Sequence, residues 1–147
     1  MRQKRILPNA VANIHGSETY PGLHGQVRFY QRRHCVLVEV DVQGLPVNET
    51  GFFGFHIHGG NDCTGEGFSD TGSHYNPGEM PHPFHAGDLP PLLSCHGNAY
   101  TAVATGRFHV MDIVGRTVVV HDGADDFTSQ PAGNAGSKIA CGVIRRV

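Results

Sequence analysis

The chain contains no apolar stretch long enough to span a bilayer, and nowhere sustains the 3.6-residue periodicity of an amphipathic helix. A membrane-spanning helix and a helical bundle are both excluded. Charge is sparse: Asp, Glu, Lys and Arg make up 16% of the residues and the net charge is −2. That balance offers no basic footprint for nucleic acid. The basic start, Met1 to Arg5, is followed by Ile6-Leu7 and then Pro8, so the apolar segment of a secretory signal is missing. A cytoplasmic chain is therefore expected, or an extracytoplasmic one if a leader has been removed. Tryptophan is absent, which excludes little. Cysteine is limited to Cys35, Cys63, Cys95 and Cys141, and a cytoplasmic setting would keep all four as thiols.

What is abundant is glycine (20), proline (9) and above all histidine (11) in 147 residues. The length suits one domain, residues 1–147, with a proper core. Strands joined by long loops fit the composition. Residues 10–16, 23–31, 35–42, 53–58, 117–121 and 139–144 read as strands, the third with Val36, Val38, Val40 and Val42 inward. Residues 92–94 and 100–105 flank a hairpin signal, His96-Gly97-Asn98. Half-buried antiparallel strands at this spacing predict an all-β sandwich or barrel. Two segments break the alternation, residues 59–89 and 122–137. Loops of such length inside a compact fold are usually functional.

The histidines are placed unevenly. In Phe55-His56-Ile57-His58 the period of a strand sends both imidazoles to one face and both apolar side chains to the other. In His82-Pro83-Phe84-His85-Ala86-Gly87-Asp88, two imidazoles and a carboxylate share a proline-stiffened loop. With His74 as a fourth donor, His82, His85 and Asp88 make a closed set suited to tetrahedral zinc. His56, His58 and His121, again with His74, make an all-nitrogen set suited to copper. Taken singly, His82 or His85 would be a solvated loop residue and His121 a satisfied strand end; their joint occurrence is what points to metal. His15, His24, His34, His96 and His109 show no clustering and read as surface or structural.

These residues also carry a family resemblance. Gly54-Phe-His-Ile-His58, Gly72-Ser-His-Tyr-Asn-Pro77, His85-Ala-Gly-Asp-Leu89, Gly115-Arg-Thr-Val-Val-Val-His121 and the run from Gly133 to Gly142 occur in the order found in copper,zinc superoxide dismutases. The N-terminal strands match in pattern alone. The resemblance implies an immunoglobulin-like Greek-key barrel of about eight antiparallel strands with two long functional loops. It implies copper, one per chain, on His56, His58, His74 and His121, and zinc, one per chain, on His74, His82, His85 and Asp88, with His74 bridging. It pairs Cys63 with Cys141 in a disulfide and leaves Cys35 and Cys95 free, against the thiol expectation for the compartment. Asp125 matches the carboxylate that joins one ligand histidine of each metal, while Asp126 reads as a solvated loop acid. The implied substrate is the superoxide anion, converted to O₂ and H₂O₂.

Two features depart from the family pattern. Lys138 stands where the family usually has an arginine that guides the anion, so charge is kept and the planar fork is lost. Only Pro83 and Phe84 separate His82 from His85, a shorter spacing than in the more familiar members, and the loop of residues 122–137 is also short by the family's pattern. The alternative to an active dismutase is a dismutase-like copper- and zinc-binding protein with little turnover; a sandwich domain with vestigial histidines conflicts with complete ligand sets. A homodimer remains an open expectation for the assembly.

Overall fold

The computed structural model describes residues 6–147; the basic start, Met1 to Arg5, lies outside the described residues. Eight strands follow in chain order: β1 (Ala10–Gly16), β2 (His24–Gln31), β3 (Val36–Gln43), β4 (Phe52–His58), β5 (Asp88–Leu93), β6 (Ala99–Thr105), β7 (Thr117–His121) and β8 (Lys138–Arg146). All the ladders are antiparallel, in the spatial order β5-β4-β7-β8-β1-β2-β3-β6. The two end strands, β5 and β6, pack against each other without joining a ladder, so the barrel is nearly closed. The non-sequential neighbours β4-β7, β8-β1 and β3-β6 give it the crossed connections of a Greek key.

The valine alternation of β3 is realised as expected, with Val36, Val38, Val40 and Val42 all in the core. Phe29 of β2, Phe53, Phe55 and Ile57 of β4, Leu92 of β5 and Ile144 of β8 meet them there. Each such side chain contributes about 1.5–3 kcal/mol of burial.

Strands β4, β7 and β8 are buried on both faces, the inner by the core and the outer by the loops. That double burial is why β7 reads as an unbroken β-branched run rather than as an alternation.

The hairpin expected at His96-Gly97-Asn98 is corrected in part. A tight turn is present, closed by hydrogen bonds between Cys95 and Asn98. Its flanking strands do not pair with each other: β5 pairs with β4 and β6 with β3. Strand β5 also starts earlier than expected, at Asp88, and includes Pro90 and Pro91. Proline cannot donate to a ladder, which fits the position of β5 at one end of the sheet. Two short helical turns escaped the sequence because neither is long enough to show a sustained apolar face. One is a 3₁₀ turn at Glu66–Thr71; the other, α1 (Val110–Ile113), turns Val110 and Ile113 into the core.

Cys63 and Cys141 form a disulfide across 78 positions of sequence, and Cys35 and Cys95 are free. Phe68 packs beside that bond against Val119 and Cys141, so covalent and apolar contacts pin the first long loop to the outer face of β7 and β8. Closing so long a loop removes unfolded-state entropy worth roughly 4 kcal/mol. Thiol titration of the oxidised, denatured protein should find two thiols, at Cys35 and Cys95. Cys63→Ala should lower unfolding stability by about 2–5 kcal/mol in chemical denaturation; an unchanged midpoint and slope would contradict the pinning.

Candidate metal centre

Strand β4 supplies His56 and His58 on the face opposite Phe55 and Ile57, and pairs through β7 with the segment that ends in His121. An irregularity in the β7–β8 ladder between Val120 and His121 re-aims the last side chain. The first long loop returns to β4 through a bridge between His58 and His74. His82 and His85 sit on the turn that leads into β5, which opens with Asp88. All six histidines are buried.

Two four-residue groups result, each with one donor atom per residue and those atoms within 4.8 Å of one another: His56, His58, His74 and His121, and His74, His82, His85 and Asp88. The hydrogen bonds decide which nitrogens are free. His56 donates from Nε2 to Asp125 Oδ2 at 2.7 Å, which leaves Nδ1. His58 donates from Nδ1 to the Gly72 carbonyl at 2.8 Å and His121 from Nδ1 to the Gly136 carbonyl at 3.2 Å. Their Nε2 atoms then face each other at 3.3 Å, two lone pairs with no proton to share. In the second group His74 Nδ1 lies 2.8 Å from Asp88 Oδ1 and 3.2 Å from His85 Nδ1. His82 donates from Nε2 to Asp125 Oδ1 at 2.8 Å, and its Nδ1 is 3.1 Å from Asp88 Oδ2 without hydrogen-bond alignment.

The buried nitrogens left without a hydrogen-bond partner are His56 Nδ1, His74 Nε2 and His82 Nδ1. An orphaned buried polar atom costs about 1–3 kcal/mol unless something satisfies it. All three belong to the two groups, so the donor chemistry fits one cation in each. His74 is common to both, with Nδ1 in the second and Nε2 left for the first.

Electrostatics agree. Burial pushes His58 down to about 2 and His121 down to about 3, outweighing the carbonyls that each donates to. His56 and His85 are also lowered, again chiefly by burial. Neutral imidazole is the form that binds a metal. For Asp88 and Asp125 burial acts upward, but hydrogen bonds from His74, and from His56 and His82, outweigh it and keep both below the ordinary carboxylate range.

Asp125 is thus brought where expected, its two oxygens on one histidine of each group. Gly133 makes room for it. Its φ is +70°, and a Cβ there would stand 2.6 Å from His82 Nε2 and collide with Asp125 Oδ1. Asp126 is exposed as expected but not idle, since Oδ1 accepts from the Thr128 and Ser129 amides and Oδ2 from the Ser129 hydroxyl. Lys138 lies at the start of β8, opposite His121 in the ladder, with Nζ donating to Thr71 Oγ1 at 2.7 Å and to the Gly72 carbonyl at 3.0 Å. His15, His24, His34, His96 and His109 are exposed, away from both groups. Sequence reasoning missed Thr71, Gly133, Gln130 and Arg107. Only Gly133 carried a signal, its place in the Gly133-Asn134-Ala135-Gly136 run.

A family model described as copper/zinc superoxide dismutase matches residues 23–144. The chain belongs to that family. Among dismutase relatives, "Superoxide dismutase [Cu-Zn] 2" of Aquifex aeolicus is 33% identical over 82% of this chain and 78% of its own. "Superoxide dismutase [Cu-Zn] 4" of Dictyostelium discoideum is 34% identical over 85% and 92%. Proteins named for another role are similar as well. "Copper chaperone for superoxide dismutase" of Rattus norvegicus is 34% identical over 98% of this chain and 55% of its own length. Among the described residues no helix is long and apolar enough to cross a membrane.

The metal-free protein should lose stability as pH falls below about 6.5. Between there and pH 3 the unfolded chain protonates His58 and His121 while the folded chain does not, so each proton favours unfolding. Each residue should contribute up to ~1.4 kcal/mol per pH unit. Denaturant midpoints from pH 8 to pH 4 check this, and a flat profile would contradict the burial of neutral rings.

Proposed function

We propose that this chain is a superoxide dismutase, with copper held by His56, His58, His74 and His121 and zinc by His74, His82, His85 and Asp88. The observation that carries the reading is the pair of complete four-residue donor groups meeting in the His74 ring, with buried nitrogens in both left without a hydrogen-bond partner. Bound copper would supply one-electron oxidation and reduction of superoxide to O₂ and H₂O₂, and zinc, which has no redox chemistry, a fixed charge beside His74.

The chain's own residues supply the rest. The carbonyls of Gly72 and Gly136 hold the Nδ1 protons of His58 and His121 in place and so aim both Nε2 atoms inward. Asp125 does the same for His56 and His82. His74 Nε2 is the basic atom placed to take a proton and to surrender it again during turnover.

Lys138 supplies a cation in front of the histidines. Its Nζ uses two of its three N–H bonds on Thr71 and Gly72, which leaves one for an anion. Burial lowers its pKa from the ordinary lysine value. Because Gly72 accepts from both Lys138 and His58, lysine is also a strap on the first loop. A guanidinium is therefore not required for the charge to be held in place.

A second reading has a specific observation behind it. The likeness to a copper chaperone spans almost the whole chain at the same level of identity as the dismutases. On that reading the protein holds both metals without turnover.

Metal analysis after reconstitution should give one copper and one zinc per chain, and the loaded protein should consume superoxide catalytically. Full metal content with no consumption would favour the second reading. Lys138→Arg should change the rate little. Lys138→Gln keeps a donor for the strap and removes the charge; it should slow the reaction about tenfold and flatten its salt dependence. Lys138→Glu should slow it further. If the Gln and Glu variants, fully metallated, keep the original rate, Lys138 is a strap alone.

A further inference from the structure

The turn that carries His82 and His85 is held by side chains from two distant segments. Gln130 grips His82 at both ends of its backbone: the His82 amide donates to Gln130 Oε1 at 2.9 Å, and Gln130 Nε2 donates to the His82 carbonyl at 2.8 Å. Arg107, between β6 and α1, donates from Nη1 to the Pro83 carbonyl at 2.7 Å and the His85 carbonyl at 3.1 Å. The remaining amides are taken locally, Phe84 by the Pro81 carbonyl and His85 by Asp88 Oδ2.

Packing does not explain these contacts. A cavity of about 330 Å³ opens beneath the turn, between Pro83, Asp88, Leu89, Val103, Arg107 and Phe127. The Phe84 side chain turns out to solvent. A turn over a cavity, with its central side chain outside, has little apolar contact to fix it. Polar groups reaching in from elsewhere must therefore set its geometry. Both Gln130 and Arg107 are exposed residues, and neither carries a carboxylate partner among the described residues.

We infer that Gln130 and Arg107 are positioning residues for the His74, His82, His85 and Asp88 group, a two-sided clamp that holds its compact turn ready for zinc. This rests on the zinc assignment above. The clamp removes freedom that metal binding would otherwise have to remove. Residues that orient ligands in this way typically control metal affinity by 10–100-fold. It also couples two loops, since Gln130 lies in the same loop as Asp125, which holds the His82 ring.

The test is zinc binding to the metal-free, full-length protein, by competition with a chelator, with cobalt as a spectroscopic substitute. Gln130→Ala and Arg107→Ala should each bind zinc about 10–100-fold more weakly and shift the visible bands of bound cobalt. Copper affinity at the other group should fall by less than zinc affinity does, because neither residue touches it and the effect can reach it only through His74 and Asp125. Arg107→Lys, which keeps a cationic donor, should recover most of the zinc affinity, whereas Arg107→Met, which keeps the alkyl stem and has no donor, serves in place of Arg107→Ala should that variant not fold. Gln130→Glu keeps the acceptor for the His82 amide and loses the donor, so it should fall between Gln130 and Ala. Unchanged zinc affinity and cobalt bands in folded Gln130→Ala and in folded Arg107→Ala or Arg107→Met would overturn the clamp and leave the zinc assignment standing. An original protein that takes up no zinc would overturn both.

Discussion

One imidazole ring has to face two ways, and the architecture depends on it. His74 presents Nδ1 to Asp88 and His85 and leaves Nε2, buried and without a hydrogen-bond partner, for His56, His58 and His121. Both nitrogens serve only if the ring is fixed in rotation and kept from a stray proton. Fixing it falls to the first long loop, which is tied to β4 by the bridge at His58, to β8 by the disulfide and Phe68, and to Lys138 through Thr71 and Gly72. Those ties act at His74 itself and on the chain that precedes it.

Asp125 complements this from the other side. A single carboxylate accepts from His56 and His82, so it selects the tautomer of one ring in each donor group at the same time. The two groups are linked twice, by the His74 ring in front and by the Asp125 carboxylate behind. Displacing either link would misalign both groups together. Gly133 is needed here for a steric reason, since any side chain would enter the space between Asp125 and His82. Hydrogen bonding and glycine placement thus converge on the relation between the two groups rather than on either alone.

Much of the candidate site was legible in the sequence, because its donors fall where periodicity is simple. The alternation of β4 put His56 and His58 on one face, and the structure keeps them there. The pairing of Cys63 with Cys141 and the place of Asp125 came from resemblance, and nothing in spacing or composition would have supplied them. The compartment argument for four thiols failed for one pair because apposition in the fold overrides a general prior. What stayed hidden has a common physical cause. Gln130, Arg107 and Thr71 act through contacts separated by 22 to 67 positions, between side chains and backbone or hydroxyl groups. Such contacts leave no periodic trace. The hairpin at His96 was misjudged for a related reason: a turn signal reports local backbone geometry, whereas the partner of each flanking strand is set by barrel closure.

The central claim is that one ring joins the two metal positions, and magnetic resonance addresses it most directly. With copper in the first group and the second filled by diamagnetic zinc, the copper(II) signal should be that of an isolated ion. Replacing the zinc by paramagnetic cobalt(II) should strongly broaden or abolish that signal through the shared His74 imidazole. A copper signal of unchanged shape and intensity with cobalt fully bound would contradict the shared ring and the relation between the two groups that follows from it.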